Sequence, residues 1–213
     1  MNLLSPAQPE RVSAAVARST VWPVELAPDQ TFVPLSELHA DDLAARICAR
    51  LGGAPLRVGQ SAVVMGVASR LWSVTVVTVA RDGVLVDPEC LVAHDDHGAL
   101  TLGLLEPRGW VDVTSDDVDR MVRQVLEPLV ASFDLSPRLL WGNVAASLHA
   151  VPRVHSLPEA APLAADLLAR RPLIGELDDP IEGRARRRTC CLFYLAPGAG
   201  LCGDCVFDQV PRS

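Results

Sequence analysis

The stretch from Val58 to Ala80 constrains the fold of this 213-residue chain more than any other. It is long enough and apolar enough to cross a bilayer, yet Arg70 sits near its centre, where a charge costs roughly 2.5 to 3.5 kcal/mol on insertion scales. It is rich in β-branched residues, but its apolar positions do not alternate and its length exceeds that of a normal strand. The expectation is a long helix buried in a protein core, in a chain that is not an integral membrane protein. A helix buried on all sides needs other helices around it. The small side chains that dominate the composition suit close helix packing, with hydrophobic residues at 49% and aromatics at only 4%.

The flanking segments supply candidate partners. Leu43, Ile47 and Leu51 follow one another at four-residue spacing, preceded by Asp41 and Asp42 and ended by Gly52 and Gly53, which predicts a helix over Leu38–Leu51. Thr114, Ser115, Asp116 and Asp117 form a helix start, and Val118, Met121, Val122, Val125, Leu126 and Leu129 place an apolar stripe on one face through Ala131. Ser136 with Pro137 in the first turn opens another helix, running through Leu139, Leu140, Val144 and Leu148, and Pro158–Arg170 is a further candidate. Leu91–His94 and Ala99–Leu104 bracket Asp95, Asp96, His97 and Gly98 and read as a β-hairpin.

The expected fold class is therefore mainly α, an α+β arrangement with one small hairpin. It divides into an irregular leader over residues 1–36, with order beginning near residue 37, a helical domain over 37–180 and an irregular C-terminal segment over 181–213. Met1 to Thr20 carries Pro6, Pro9, Glu10, Arg11 and Arg18 without an uninterrupted apolar core, unlike a secretory signal, so a cytoplasmic location is expected. The net charge of −7 argues against general nucleic-acid binding, which needs a broad basic face. Lysine is absent, so all 19 basic residues are Arg.

Function is concentrated at the C-terminus. Cys190 and Cys191 are adjacent, and Cys202 and Cys205 follow with two residues between them, while Cys48 and Cys90 lie far away. Structural disulfides are disfavoured in a reducing compartment, so clustered thiols there point to metal or redox chemistry. Four cysteines suit a tetrahedral zinc or a two-iron cluster. Side chains of neighbouring residues diverge, which fits two coordination centres better than one, but spacing alone leaves both metals open. Gly198, Gly200 and Gly203 spell a dinucleotide-binding pattern by chance. That pattern needs a strand before it, a helix after it and an acidic residue about 20 positions on, whereas this chain ends at Ser213. These glycines are expected instead to let the backbone wrap a cluster and to offer amides to its sulfurs.

The segment from Arg187 to Phe207, with this adjacent cysteine pair and the later Cys-x-x-Cys, closely resembles the C-terminal iron–sulfur motif of the FhuF-like ferric-siderophore reductases. Leu140, Trp141, Gly142 and Asn143 are similar to a helix segment of that family, and Ser69, Arg70 and Leu71 to its long helix. The resemblance implies a [2Fe–2S] cofactor with Cys190, Cys191, Cys202 and Cys205 as ligands. It also implies one-electron reduction of siderophore-bound iron(III) in the cytoplasm, with a ferric siderophore and an unidentified electron donor as partners. The other readings are a structural four-cysteine zinc protein without activity and an iron–sulfur carrier with a different acceptor. Arg184, Arg186, Arg187 and Arg188, just before the first cysteine, are candidates to offset cluster charge or to attract an anionic chelate. His94, Asp95, Asp96 and His97 are expected to be exposed turn residues, and His149 and His155 to lie at or beyond a helix end. Trp110, Trp141 and Tyr194 are expected mainly to pack. No nucleophile and base pairing stands out.

Overall fold

The computed structural model describes residues 4–18, 21–178 and 185–211. Its axis is the helix foreseen from the apolar run. In chain order the helices are α1 (Pro9–Ala17), α2 (Ala40–Arg50), α3 (Leu56–Asp82), α4 (Ser115–Ala131), α5 (Pro137–Val154) and α6 (Ala161–Leu168). The strands are β1 (Ser5–Pro6), β2 (Val24–Glu25), β3 (Val33–Pro34), β4 (Leu85–Val86), β5 (Leu91–Asp96), β6 (Ala99–Leu104) and β7 (Gly109–Val111). The fold is mainly helical with two small sheets, one ordered β1-β7-β4 and the other β2-β6-β5-β3.

At 27 residues α3 is about 40 Å long, and α1, α2, α4, α5 and α6 all pack against it. Its most apolar window has a mean hydropathy of 1.7 but is 67% buried within the protein. Those surroundings are a protein core, which explains why a membrane-length run can carry serines and threonines. Thr75 and Thr78 donate to the carbonyls of Leu71 and Val74, and Ser73 to that of Ser69, so these three buried hydroxyls are satisfied inside their own helix. Two contacts fix its neighbours. A Cβ on Gly59 would stand 2.2 Å from the Ala44 carbonyl oxygen, so glycine is what lets α2 and α3 touch backbone to backbone. On the opposite side, Trp72 Nε1 donates to the Val144 carbonyl of α5 at 3.2 Å, with the indole buried.

The helix starts behave as the sequence implies. Thr114 closes a capping box, its hydroxyl accepting from the Asp117 amide while the Asp117 carboxylate accepts from the Thr114 amide. Pro137 opens α5, and Pro158–Ala160 forms one 3₁₀ turn before α6.

Three expectations need correction. The first hairpin strand is longer and the turn shorter than expected, because His97 and Gly98 both take positive φ and make a two-residue turn, while the second strand is as expected. Asp96 and His97 are exposed, but His94 and Asp95 belong to β5. There His94 stacks against Phe32, and Asp95 pairs with Arg46. Second, order begins well before residue 37: α1 buries Val12, Ala15 and Val16 in the main core, β1 pairs with β7, and Arg11 donates to the Asp82 carbonyl at 2.9 Å. The signal was Pro9 and Glu10 followed by apolar residues at helical spacing. Third, His149 lies within α5, and His155 closes it with Nε2 2.8 Å from Ser73 Oγ. The expected boundary at residues 180 and 181 lies outside the described residues.

Candidate iron–sulfur centre

The C-terminal segment is irregular because its sequence offers no periodic apolar stripe and breaks at Pro197 and three glycines. It is nonetheless held tightly. A 3₁₀ turn over Phe193–Leu195 and the following Ala196 insert into a small second core with Ala54 and Val58, beside Leu51. On the α5 side the approach is as close, since a Cβ on Gly142 would stand 2.3 Å from Thr189 Oγ1.

Between these two anchors runs a buried polar network that sequence reading did not reveal. Asn143 of α5, 1% exposed, donates through Nδ2 to the Ser61 hydroxyl at 2.8 Å and to the Ser61 carbonyl at 3.1 Å. Its Oδ1 accepts from the Arg187 guanidinium at 2.6 Å. Ser61 Oγ in turn donates to the Cys191 carbonyl at 2.7 Å. Arg187 is 5% exposed and also donates through Nε to Asp204 at 2.6 Å, while its backbone amide donates to the Asp204 carbonyl. A buried cation needs such compensation, and here it comes from one carboxylate, one amide oxygen and the Met65 sulfur. The partners lie 44 to 130 positions apart in the chain for the tail contacts, which is why no local pattern announces them.

The tail carries four thiols and brings two of them, Cys191 and Cys202, into contact. Cys191 is buried, and Cys190, Cys202 and Cys205 are half-buried. Cys191 Sγ and Cys202 Sγ stand 3.6 Å apart. Backbone amides point at three of the sulfurs: Leu192 N–H at Cys190 (3.3 Å), Phe193 N–H at Cys191, and Phe207 N–H at Cys205 (3.4 Å). Leu192 reaches this geometry in the left-handed region, at φ 68°, a strained setting for a branched side chain. The donors are therefore residues two positions past each cysteine, not the glycines that the sequence suggested.

The thiols are electrically unequal. The Cys202 hydrogen bond, helped by the Phe193 amide and the Arg187 charge against the effect of burial, holds Cys191 down at about 6. The same contact, with burial and the negative charges of Cys191 and Asp204, pushes Cys202 up. Burial raises Cys190, opposed by the Leu192 amide. Of Cys191 and Cys202, the more deeply placed Cys191 is thus the one favoured as thiolate, as suits a soft-metal ligand.

Among the described residues no three His, Cys, Asp or Glu side chains converge on one point as a single ion would require. The donor set present, four thiols with amides aimed at their sulfurs, fits an iron–sulfur cluster. Residues 187–207 match the family described as the FhuF 2Fe-2S C-terminal domain. The tail is similar to that domain, and the match does not extend to the rest of the chain. No curated protein matches the chain.

The arginines of the FhuF-like tail act differently from a free basic patch. Arg186 donates to the Cys205 and Val206 carbonyls and pairs with Asp208, Arg187 pairs with Asp204, and Arg188 pairs with Asp178. Three cations thus meet three carboxylates, and two of these arginines brace the backbone of the last cysteine loop. Arg184 lies outside the described residues. Tyr194 packs edge-on against Phe207 at 5.7 Å beside the cysteines, whereas Trp110 and Trp141 pack against the main core.

Proposed function

We propose that this protein reduces siderophore-bound iron(III) by one electron, using a [2Fe–2S] cluster held by Cys190, Cys191, Cys202 and Cys205. The observation that carries the reading is the FhuF-like tail itself: four thiols, three of them half-buried and three met by backbone amides, in a segment docked on the helical core. The chemistry the bound cluster supplies is a single electron, taking iron(III) to iron(II) while the reduced cluster is oxidised. Iron(II) holds hard oxygen ligands less tightly, so the metal leaves its chelator. The protein's own part is placement. Arg187, Asn143 and Ser61 fix the Cys191 backbone on α3 and α5, and the Leu192, Phe193 and Phe207 amides stabilise negative charge on sulfur. No acid or base is required. The setting is the reducing cytoplasm, with a one-electron donor, protein or flavin, recharging the cluster.

Two measurements test this. Anaerobically purified protein is expected to contain about two irons and two acid-labile sulfides per chain; one zinc in a colourless protein would overturn it in favour of a structural site. The reduced protein is then mixed with ferric chelates in a single turnover, and oxidation no faster than in buffer alone would refute siderophore reduction.

A further inference from the structure

The described tail arginines are paired with carboxylates, whereas Arg50 of α2 and Arg70 of α3 are among the arginines that are not. A cavity of about 330 Å³ opens between α2, α3 and the β5–β6 turn, and Phe193 of the tail forms part of its wall. Its twelve lining residues include Arg50 and Arg70 and no Asp or Glu. Arg70 is the charge that interrupts the apolar run of α3. It meets no carboxylate among the described residues. Its guanidinium donates to the Gly66 carbonyl one turn back at 3.0 Å and lies over the Trp22 ring, 4.4 Å from the centroid. Burial alone lowers its pKa. A half-buried guanidinium held over an aromatic ring has a fixed direction and several free N–H donors. Arg50 is exposed at the end of α2, where a Cβ on Gly98 would stand 3.0 Å from its Cδ.

Phe193 joins this cavity to the cysteines. Its ring is in the wall, while its amide is on the Cys191 sulfur. A molecule seated here meets Phe193, two positions along the tail from Cys191. The cavity is too small to enclose a large chelate, so it would take one edge of it and leave the rest in solvent.

We propose that this cavity is the docking site for the ferric chelate, and that it selects chelates with peripheral carboxylates, which Arg70 and Arg50 hold. The inference rests on the reductase reading for the identity of the ligand. Planar carboxylates accept two parallel hydrogen bonds from a guanidinium, and a wall without acidic residues leaves that attraction unopposed. The remaining lining is mainly aliphatic, contributed by residues such as Leu43, Ile47 and Ala62, and suits the chelator's carbon frame.

Binding is tested apart from electron transfer by using redox-inert gallium(III) in place of iron(III). Cluster-loaded full-length protein is titrated calorimetrically with the gallium complex of a dihydroxamate–carboxylate chelator, and in parallel with a net-neutral gallium trihydroxamate. The carboxylate complex is expected to bind more tightly to the wild type and to weaken as salt rises. Arg50→Gln and Arg70→Gln are each expected to weaken it about tenfold or more, with the neutral complex little changed. Arg70→Lys keeps the charge but not the fork and recovers only part of the loss, and Arg123→Gln on α4 has no effect. Arg50 is exposed, so its variant decides the matter even if Arg70→Gln does not fold. Equal affinity of the wild type for both complexes, or unchanged affinity in Arg50→Gln, overturns the site. If the gallium complex binds through the arginines but no ferric chelate oxidises the reduced protein, the reductase reading falls and the site stands. Oxidation without arginine-dependent binding has the opposite meaning.

Discussion

Replacing Asn143 by Leu tests how the tail is held. The two side chains have similar volume, and the site is 1% exposed, so the change removes hydrogen bonds with little alteration of packing. Lost are the 2.6 Å bond from the Arg187 guanidinium and the 2.8 Å bond to the Ser61 hydroxyl. A bond to a charged group contributes about 1.5 to 3 kcal/mol and a neutral one about 1, while the leucine returns part of this through apolar burial. The net expectation is about 2 to 3 kcal/mol. Because the Arg187 bond joins the tail to α5, and the Ser61 bond orients the hydroxyl that holds the Cys191 carbonyl, the loss is expected mainly in local opening of the tail. Native-state hydrogen exchange resolved by peptide is the assay, at equal iron content in both proteins. Amides in 187–207, such as those of Arg187, Arg188 and Cys205, are expected to exchange about 30- to 150-fold faster, at 1.4 kcal/mol per tenfold. Amides in the centre of α3 should be unchanged. A tail response under about fivefold would show that the network does not hold the segment, and equal acceleration in α3 would show that tail and core open together.

Gly59→Ala forces a methyl against the Ala44 carbonyl and within 2.6 Å of Cys48 Sγ, and is expected to cost about 3 kcal/mol, read as a fall in Tm of roughly 6 °C or more; an unchanged Tm would show that α2 is free to shift. Thr114→Ala removes the capping box of α4 and should cost about 1 kcal/mol in urea unfolding, whereas Thr114→Ser should recover most of it. Burial, reinforced by Arg153 and Arg81 respectively, lowers the His149 and His155 pKa values in the folded protein. Above the unfolded value of about 6.5 both rings are neutral in either state, and as pH falls through that value the unfolded chain takes up protons first. Stability is therefore expected to decline from pH 6.5 downward until the folded values are passed. His155→Gln, which can still bond Ser73, should decline less steeply between pH 7 and 5, and identical slopes would remove His155 from the account.

What was legible in the sequence and what was not follow from the range of the interactions. The helix starts at Thr114 and Ser136, the glycines after α2 and the apolar run of α3 are written within one or two turns, and the structure follows them closely. Pro9, Glu10 and the buried face of α1 were as local, but a nine-residue helix has too short a stripe to stand out unless its partner is known. The thiols of the tail were legible because metal ligands cluster in sequence. Their support was not, because Ser61, Asn143 and Arg187 look like ordinary helix and linker residues until α3 and α5 bring them together. The arginines give the sharpest contrast. Read in sequence, the run before Cys190 seems to be the positive feature of the chain, and Arg70 a flaw in an apolar helix. In the fold, the described members of that run are matched one for one by Asp178, Asp204 and Asp208. Arg70 is instead left over an indole at the edge of a cavity whose lining carries no carboxylate. A charge drawn out of water carries a desolvation cost, which Asp204 offsets for Arg187 and no described carboxylate offsets for Arg70. A position that bears this cost without an ion pair is where a ligand's charge has most to add.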